Sequence, residues 1–220
     1  MTSPIDDLPS PALPGPWAAV VCDMDGLLVK TEPTWVRAKV MLFGHYDVVF
    51  HEADQRAVHG AAEMESAAYF TRRLGLPASE IPRIHGEYMD IVHRLFEEPV
   101  EVNPGAAELV ERLAGAVPLG LASNTRRTLV DEVLAGTSFG HRFDAIATGD
   151  EVEPKPAPDV YLLACERLGV DAAEAVALED SPLGVAAAKA AGLACIGVPS
   201  YPDEPLHEAD YRAASLTELL

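Results

Sequence analysis

Trp17-Ala18-Ala19-Val20-Val21-Cys22-Asp23-Met24-Asp25-Gly26-Leu27-Leu28 passes from an unbroken apolar run into two aspartates at alternate positions and then a glycine. An apolar run this short, ended by charge, reads as a strand buried on both faces. Similar runs recur at residues 117–122, 143–148, 175–178 and 193–198. Between them, Ala106, Leu109, Val110 and Leu113 repeat at i, i+3, i+4 and i+7, as do Tyr161, Ala164, Cys165 and Leu168, the spacing of amphipathic helices. Strands alternating with helices predict an α/β fold: a parallel, Rossmann-like sheet with helices on both faces.

Residues 38–101 read differently. They carry helical patterns over 61–74 and 79–97 and no convincing buried strand, so an all-helical cap is expected between the first strand and the rest of the sheet. Pro99 and Asn103-Pro104-Gly105 punctuate its exit. The expected organisation is a catalytic core at 17–37 and 102–220, a helical cap at 38–101, and a loose leader at 1–16. The leader holds five prolines and two aspartates, with neither the basic nor the apolar region of a signal peptide.

Charge narrows the function. Among 220 residues, 16 Lys and Arg stand against 35 Asp and Glu, a formal net charge of −19. Duplex-nucleic-acid binders need a positive surface to displace counterions, and anionic lipid repels an acidic protein, so both partner classes are excluded. With 49% hydrophobic and 23% charged residues the composition is globular, which places the acidity on a folded surface. No apolar run approaches the roughly 18–20 residues of a bilayer span. Cys22, Cys165 and Cys195 form no Cys-x-x-Cys pair and read as buried side chains in a reducing compartment. A cytoplasmic monomer acting on a small molecule is expected.

Some of the polar residues fall where the apolar runs end: Asp23 and Asp25, Ser123 and Asn124, Asp150, Glu179 and Asp180. In an open parallel sheet those ends meet at the ligand-binding crevice. Carboxylates gathered there repel one another unless a cation neutralises them. A donor set of carboxylate and carbonyl oxygen, without a Cys or His pair, suits Mg²⁺ and not zinc.

In an extended segment Asp23 and Asp25 share a side, one able to attack phosphorus and the other to carry a proton. Gly26 allows a sharp turn out of the strand. Alone, this segment also fits a calcium-type turn or a solvated strand end. Likewise Ser123-Asn124 alone fits a turn or helix cap. In Glu153-Pro154-Lys155-Pro156-Ala157-Pro158-Asp159 the alternating prolines hold the backbone extended and present Lys155 on a stiff arm. Lys155 is one of only four lysines, which argues against an incidental surface charge. Glu179-Asp180 precedes Ser181-Pro182, an N-cap and first helical residue.

Taken in order, these four motifs resemble those of the haloacid dehalogenase-like hydrolases, in the branch that includes β-phosphoglucomutase and small sugar-phosphate phosphatases. The resemblance spans residues 18–199. It implies a nucleophilic Asp23 that forms an aspartyl-phosphate, and an Asp25 that protonates the leaving oxygen and then activates water. Ser123, Asn124 and Lys155 would hold the phosphoryl group. Asp23, the main-chain carbonyl of Asp25, Glu179 and Asp180 would bind Mg²⁺. Thr31 matches a family position near Asp25, and Arg126 is a candidate contact for the distal part of the substrate. The cap would close over the cleft and set substrate choice.

Departures from the pattern separate the branches. A dehalogenase has no need of Asp25, and no lysine follows Lys39 in the cap to form the Schiff base of a phosphonoacetaldehyde hydrolase. Trp35 and the Ala61-Ala62-Glu63 stretch stand where mutases place a proton-relaying histidine and a phosphate-gripping arginine. The resemblance therefore implies a phosphatase for small phosphomonoesters, with a phosphomutase as the alternative and a non-catalytic phosphate-binding module as a third reading. Trp35, Tyr88 and the cap histidines and arginines read as packing and surface residues.

Overall fold

In the computed structural model, which describes residues 17–58, 63–200 and 205–220, the first apolar run becomes a four-residue strand with every side chain buried, β1 (Ala19–Cys22). The leader expected at 1–16, together with His59, Ala61 and Ala62, lies outside the described residues. After β1 come α1 (Glu32–Gly44), α2 (Glu52–Val58), α3 (Glu63–Arg73), α4 (Ile81–Phe96) and α5 (Ala106–Leu113). The chain then alternates: β2 (Leu119–Ser123), α6 (Arg127–Ala135), β3 (Ala145–Thr148), α7 (Asp159–Leu168), β4 (Ala175–Glu179), α8 (Pro182–Ala190), β5 (Ala194–Gly197) and β6 (Tyr211–Arg212).

The six strands form one parallel sheet in the order β3-β2-β1-β4-β5-β6. β1 lies between β2 and β4, with Cys22 opposite Leu121 on one side and Leu178 on the other. This register brings Asp23, Ser123 and Glu179 to the same edge of the sheet. On one face Ala19 and Val21 pack with Val160, Tyr161 and Ala164 of α7 and with Val185 and Ala188 of α8. Small residues dominate that layer, which lets the helices lie close to the sheet. β6 was not anticipated; it has two residues, both at least partly exposed, too short for a hydrophobic pattern.

The chain divides into two compact units, one of residues 1–30 and 99–220, the other of residues 31–98. The second is all helical. Its helices α3 and α4 fall on the two patterns read from the sequence, whereas α1 and α2 do not correspond to any. In α1, Val40 and Met41 are exposed beside buried Ala38, Leu42 and Phe43, so apolar residues run around the helix and blur its stripe. Trp35 packs edge-on to Phe96 at 5.3 Å and lies 6.4 Å from Tyr88, which makes both aromatic residues part of this unit's packing. Among the described histidines of the unit, His45 pairs with Glu87 and His85 with Glu63. Among the described residues, no helix is long and apolar enough to cross a membrane.

Candidate active site

Asp23 follows the last residue of β1, and its backbone N–H donates to the Leu178 carbonyl of β4 at 2.9 Å. The side chain is therefore fixed at the boundary between two central strands. Lys155 approaches from the loop before α7 and is 7% exposed. Its Nζ donates to Asp23 Oδ1 at 2.5 Å, to Glu179 Oε1 at 2.6 Å and to the Ala122 carbonyl at 2.9 Å. All three N–H donors are thereby used in fixed directions. The proline arm is held in turn by Asn124, whose side-chain oxygen accepts from the Lys155 backbone N–H at 2.7 Å and whose Nδ2 donates to the Lys155 carbonyl at 3.1 Å. Both ends of the Asn124 amide thus serve the main chain of Lys155.

Glu179, the last residue of β4, is completely buried. Oε1 accepts from Lys155 and, at 2.8 Å, from the Tyr161 hydroxyl. Oε2 accepts from the backbone N–H groups of Asp180 and Ser181 and from the Ser181 hydroxyl. Ser181 also N-caps α8, its Oγ accepting from the Gly184 N–H at 3.1 Å. Asp180 accepts a hydrogen bond from the Ser200 hydroxyl.

Asp25 sits two residues beyond Asp23, where Gly26 (φ +86°) turns the chain away from the sheet. The turn is held by Asn103, whose Nδ2 donates to the carbonyls of Gly26 (2.6 Å) and Leu27 (2.9 Å). Asp25 Oδ2 accepts from both the Ser123 and Thr125 hydroxyls at 2.9 Å. The Ser123 oxygen itself accepts from the Thr125 backbone N–H at 3.0 Å.

The structure thus brings these residues to one edge of the sheet as two hydrogen-bonded groups, Asp23, Asn124, Lys155, Glu179 and Asp180 in one and Asp25 with Ser123 and Thr125 in the other. Asp150 joins neither; it is exposed and accepts from the Arg127 backbone N–H. Arg126 is the N-cap residue of α6 and is half-buried. Thr31 belongs to the helical unit, where it is buried as the N-cap residue of α1. Sequence reasoning missed Asn103, Thr125, Tyr161 and Ser200. Thr125 ends the stretch that carries Ser123 and Asn124, Asn103 opens the Asn-Pro-Gly exit signal and Tyr161 is an apolar-stripe position of α7, but none of these patterns gives its residue a partner in the site.

The electrostatics of the cluster are those of too many negative charges around one ammonium. Burial raises the Asp23 carboxyl well above the usual range, and although Lys155 opposes this, Glu179, Asp180 and Asp25 raise it further. Burial, followed by Glu179, pushes Asp180 up to about 7. Lys155 is held above its ordinary value: burial alone would lower it, but Asp23 and Glu179 prevail. The Tyr161 phenol is also raised, by burial first and then by Glu179 and Asp23, so it stays protonated and donates.

Asp23, Glu179 and Asp180 each offer an oxygen within 4.8 Å of the others. Asp23 Oδ2 is buried and has no hydrogen-bond partner among the described residues. A buried carboxylate oxygen left without a donor costs stability unless a cation or ligand meets it. The residues present therefore fit a hard divalent cation.

A parallel sheet with carboxylates, a serine and a lysine at its carboxyl edge defines a phosphate-handling α/β enzyme. Residues 17–192 match the haloacid dehalogenase-like hydrolase family, and the chain belongs to it. Among its relatives, the "Phosphorylated carbohydrates phosphatase" of Thermotoga maritima is 34% identical over 180 residues, 80% of this chain and 82% of that protein. Fructose-1-phosphate phosphatase YqaB of Escherichia coli is 29% identical over 185 residues, 83% of this chain and 96% of the relative. The crystal structure of CbbY from Rhodobacter sphaeroides in complex with phosphate superposes with a TM-score of 0.79 at 33% identity, covering 92% of this chain and 96% of that one. The chain is accordingly a phosphoric monoester hydrolase.

Proposed function

We propose that this enzyme hydrolyses small phosphorylated metabolites, sugar phosphates or their like, through a covalent phosphate on Asp23. The observation that carries the reading is the Asp23 carboxylate, with one oxygen fixed by Lys155 and the other buried without a partner. Relatives named for phosphorylated carbohydrates and fructose 1-phosphate supply the substrate class.

In the first step an Asp23 oxygen attacks phosphorus and the ester bond to the leaving alcohol breaks. Asp25 gives its proton to the departing oxygen. In the second step Asp25, now ionised, takes a proton from water, the resulting hydroxide attacks phosphorus, and the Asp23–phosphate bond breaks to regenerate the carboxylate and release phosphate. The Thr125 hydroxyl holds Asp25 in place through both steps, while the single Ser123 proton, on Asp25 in the free enzyme, turns to the phosphoryl group when substrate binds. Lys155 offsets the negative charge gathering around Asp23, and Ser123 with the adjacent main chain is positioned to bind phosphoryl oxygens.

Mg²⁺, held by Asp23, Asp180 and the Asp25 carbonyl with Glu179 completing the cluster, would supply positive charge against the phosphoryl oxygens. Arg126, at the start of α6, is assigned to recognition of the part of the substrate that is not transferred. The assignment of a hydrolase rather than a mutase is favoured by Trp35, which packs against Phe96 and has no proton-relay chemistry.

The test is Asp23→Asn in a phosphate-release screen over several dozen metabolites, with and without Mg²⁺. The variant is expected to fold and to lose turnover on every substrate of the wild type. Turnover near the wild-type rate in that variant would overturn the reading.

A further inference from the structure

Tyr161 touches the site and has no place in the steps above. It is a first-turn residue of α7, completely buried, with its backbone N–H on the Pro158 carbonyl at 3.1 Å. The helix and the proline arm therefore carry Tyr161 and Lys155 as one piece. The phenol hydroxyl donates to Glu179 Oε1 at 2.8 Å, the oxygen that also accepts from Lys155 Nζ at 2.6 Å. The Lys155 ammonium stands 4.8 Å from the centroid of the Tyr161 ring.

The ammonium is shared between two buried carboxylates, Glu179 and Asp23. The share each receives depends on how strongly its oxygen attracts. A carboxylate oxygen that already accepts one proton donor offers less negative charge to a second. We propose that Tyr161 is a positioning residue for phosphoryl transfer: its hydroxyl occupies Glu179 Oε1, weakens that oxygen's hold on Lys155, and keeps the ammonium directed at Asp23. The ring contributes separately, by offering its face to the cation. This inference rests on the reading of Asp23 as nucleophile and Lys155 as its counter-charge.

The two contributions can be separated because Tyr161→Phe keeps the ring and its volume and removes only the hydroxyl. With 4-nitrophenyl phosphate and Mg²⁺, Y161F is expected to lower kcat by about 3- to 10-fold, the size of one re-aimed hydrogen bond. KM is expected to stay at its wild-type value and the melting temperature to fall by only a few degrees, through the loss of one buried hydrogen bond. The ¹H–¹⁵N signal of the buried Lys155 ammonium, assigned by its loss in Lys155→Met, is expected to move in Y161F. In a Glu179→Gln background the same substitution should leave that signal and any residual kcat where they were, because the shared charged oxygen is gone.

An unchanged kcat in Y161F, a Lys155 signal that does not move, or an equal effect in the Glu179→Gln background each overturns the inference. A loss of melting temperature with kcat intact does so as well, since it reduces Tyr161 to a packing residue. Should Asp23→Asn retain turnover, the underlying reading of the site fails. If Asp23→Asn is inactive while Y161F behaves as wild type, the inference about Tyr161 fails and that reading stands.

Discussion

Gly26 sits where two demands coincide. Its backbone is left-handed (φ +86°), and a Cβ there would run into Asp180 Oδ2 and come within 2.7 Å of Ser200 Oγ. The glycine is therefore both a turn residue and the wall against which Asp180 rests. Gly75 has a comparable φ of +73° but nothing within 4 Å of its would-be Cβ, so it separates strain from displacement. Both Gly26→Ala and Gly75→Ala are expected to destabilise by about 1–2 kcal/mol through the left-handed backbone alone. Only Gly26→Ala should also lower kcat, by on the order of 10- to 100-fold, because a shifted carboxylate no longer meets its partners. Thermal melts and steady-state rates on the pair check this, and a fully active Gly26→Ala would contradict the placement of Asp180.

At the scale of elements, α2 shows how a short helix is held. Its seven residues are too few for independent stability, and Asp54 ties it to its surroundings. That side chain, 3% exposed, accepts from the His51 backbone N–H at 2.8 Å, from the Tyr69 hydroxyl at 2.7 Å and from Arg73 Nε at 2.9 Å, the last two on α3. Burial raises the Asp54 carboxyl, but Tyr69, His51 and Arg73 together outweigh it and hold it below its ordinary value. A carboxyl lowered on folding adds stability above its unfolded value of about 3.9 and loses it as the pH falls from there through the folded value. Asp54→Asn is expected to cost roughly 1–3 kcal/mol at neutral pH, and the gap to wild type should close in urea titrations run below about pH 4. A gap that stays constant with pH would show that the charge is not what matters. α2 was illegible in the sequence for the same reason: what holds it is a polar contact to another helix, and such contacts leave no periodicity. Strands β1 to β5 were legible because burial on both faces forces an apolar run, and a run that ends on Asp23 or Glu179 announces its own carboxyl edge. Asn103, Thr125 and Tyr161 were not, since each acts through a partner distant in sequence.

Across the whole molecule the −19 net charge sets a sign problem that the site solves locally. A surface of that charge repels a phosphomonoester at a distance, while the buried ammonium of Lys155 and a cation at Asp23 and Asp180 would reverse the field within the site. The same cluster works against the fold when no cation is present, because Asp23, Glu179 and Asp180 lie together with Lys155 as their shared counter-ion. Stability and function therefore pull apart at Asp180. Mg²⁺ at about a hundred times its dissociation constant is expected to stabilise the wild type by about 2.7 kcal/mol, a rise in melting temperature of roughly 5–10 °C for a chain of this size. Chelation with EDTA should reverse the rise. On the proposed reading of the cluster, Asp180→Asn removes one like charge and one ligand at once. Its metal-free form is expected to melt above the metal-free wild type, and its response to Mg²⁺ should largely disappear along with turnover. Because an acidic surface also gathers Mg²⁺ loosely, every melt is paired with NaCl at matched ionic strength. An equal rise in NaCl, or a full Mg²⁺ response in Asp180→Asn, would place the cation on the surface and not in the cluster.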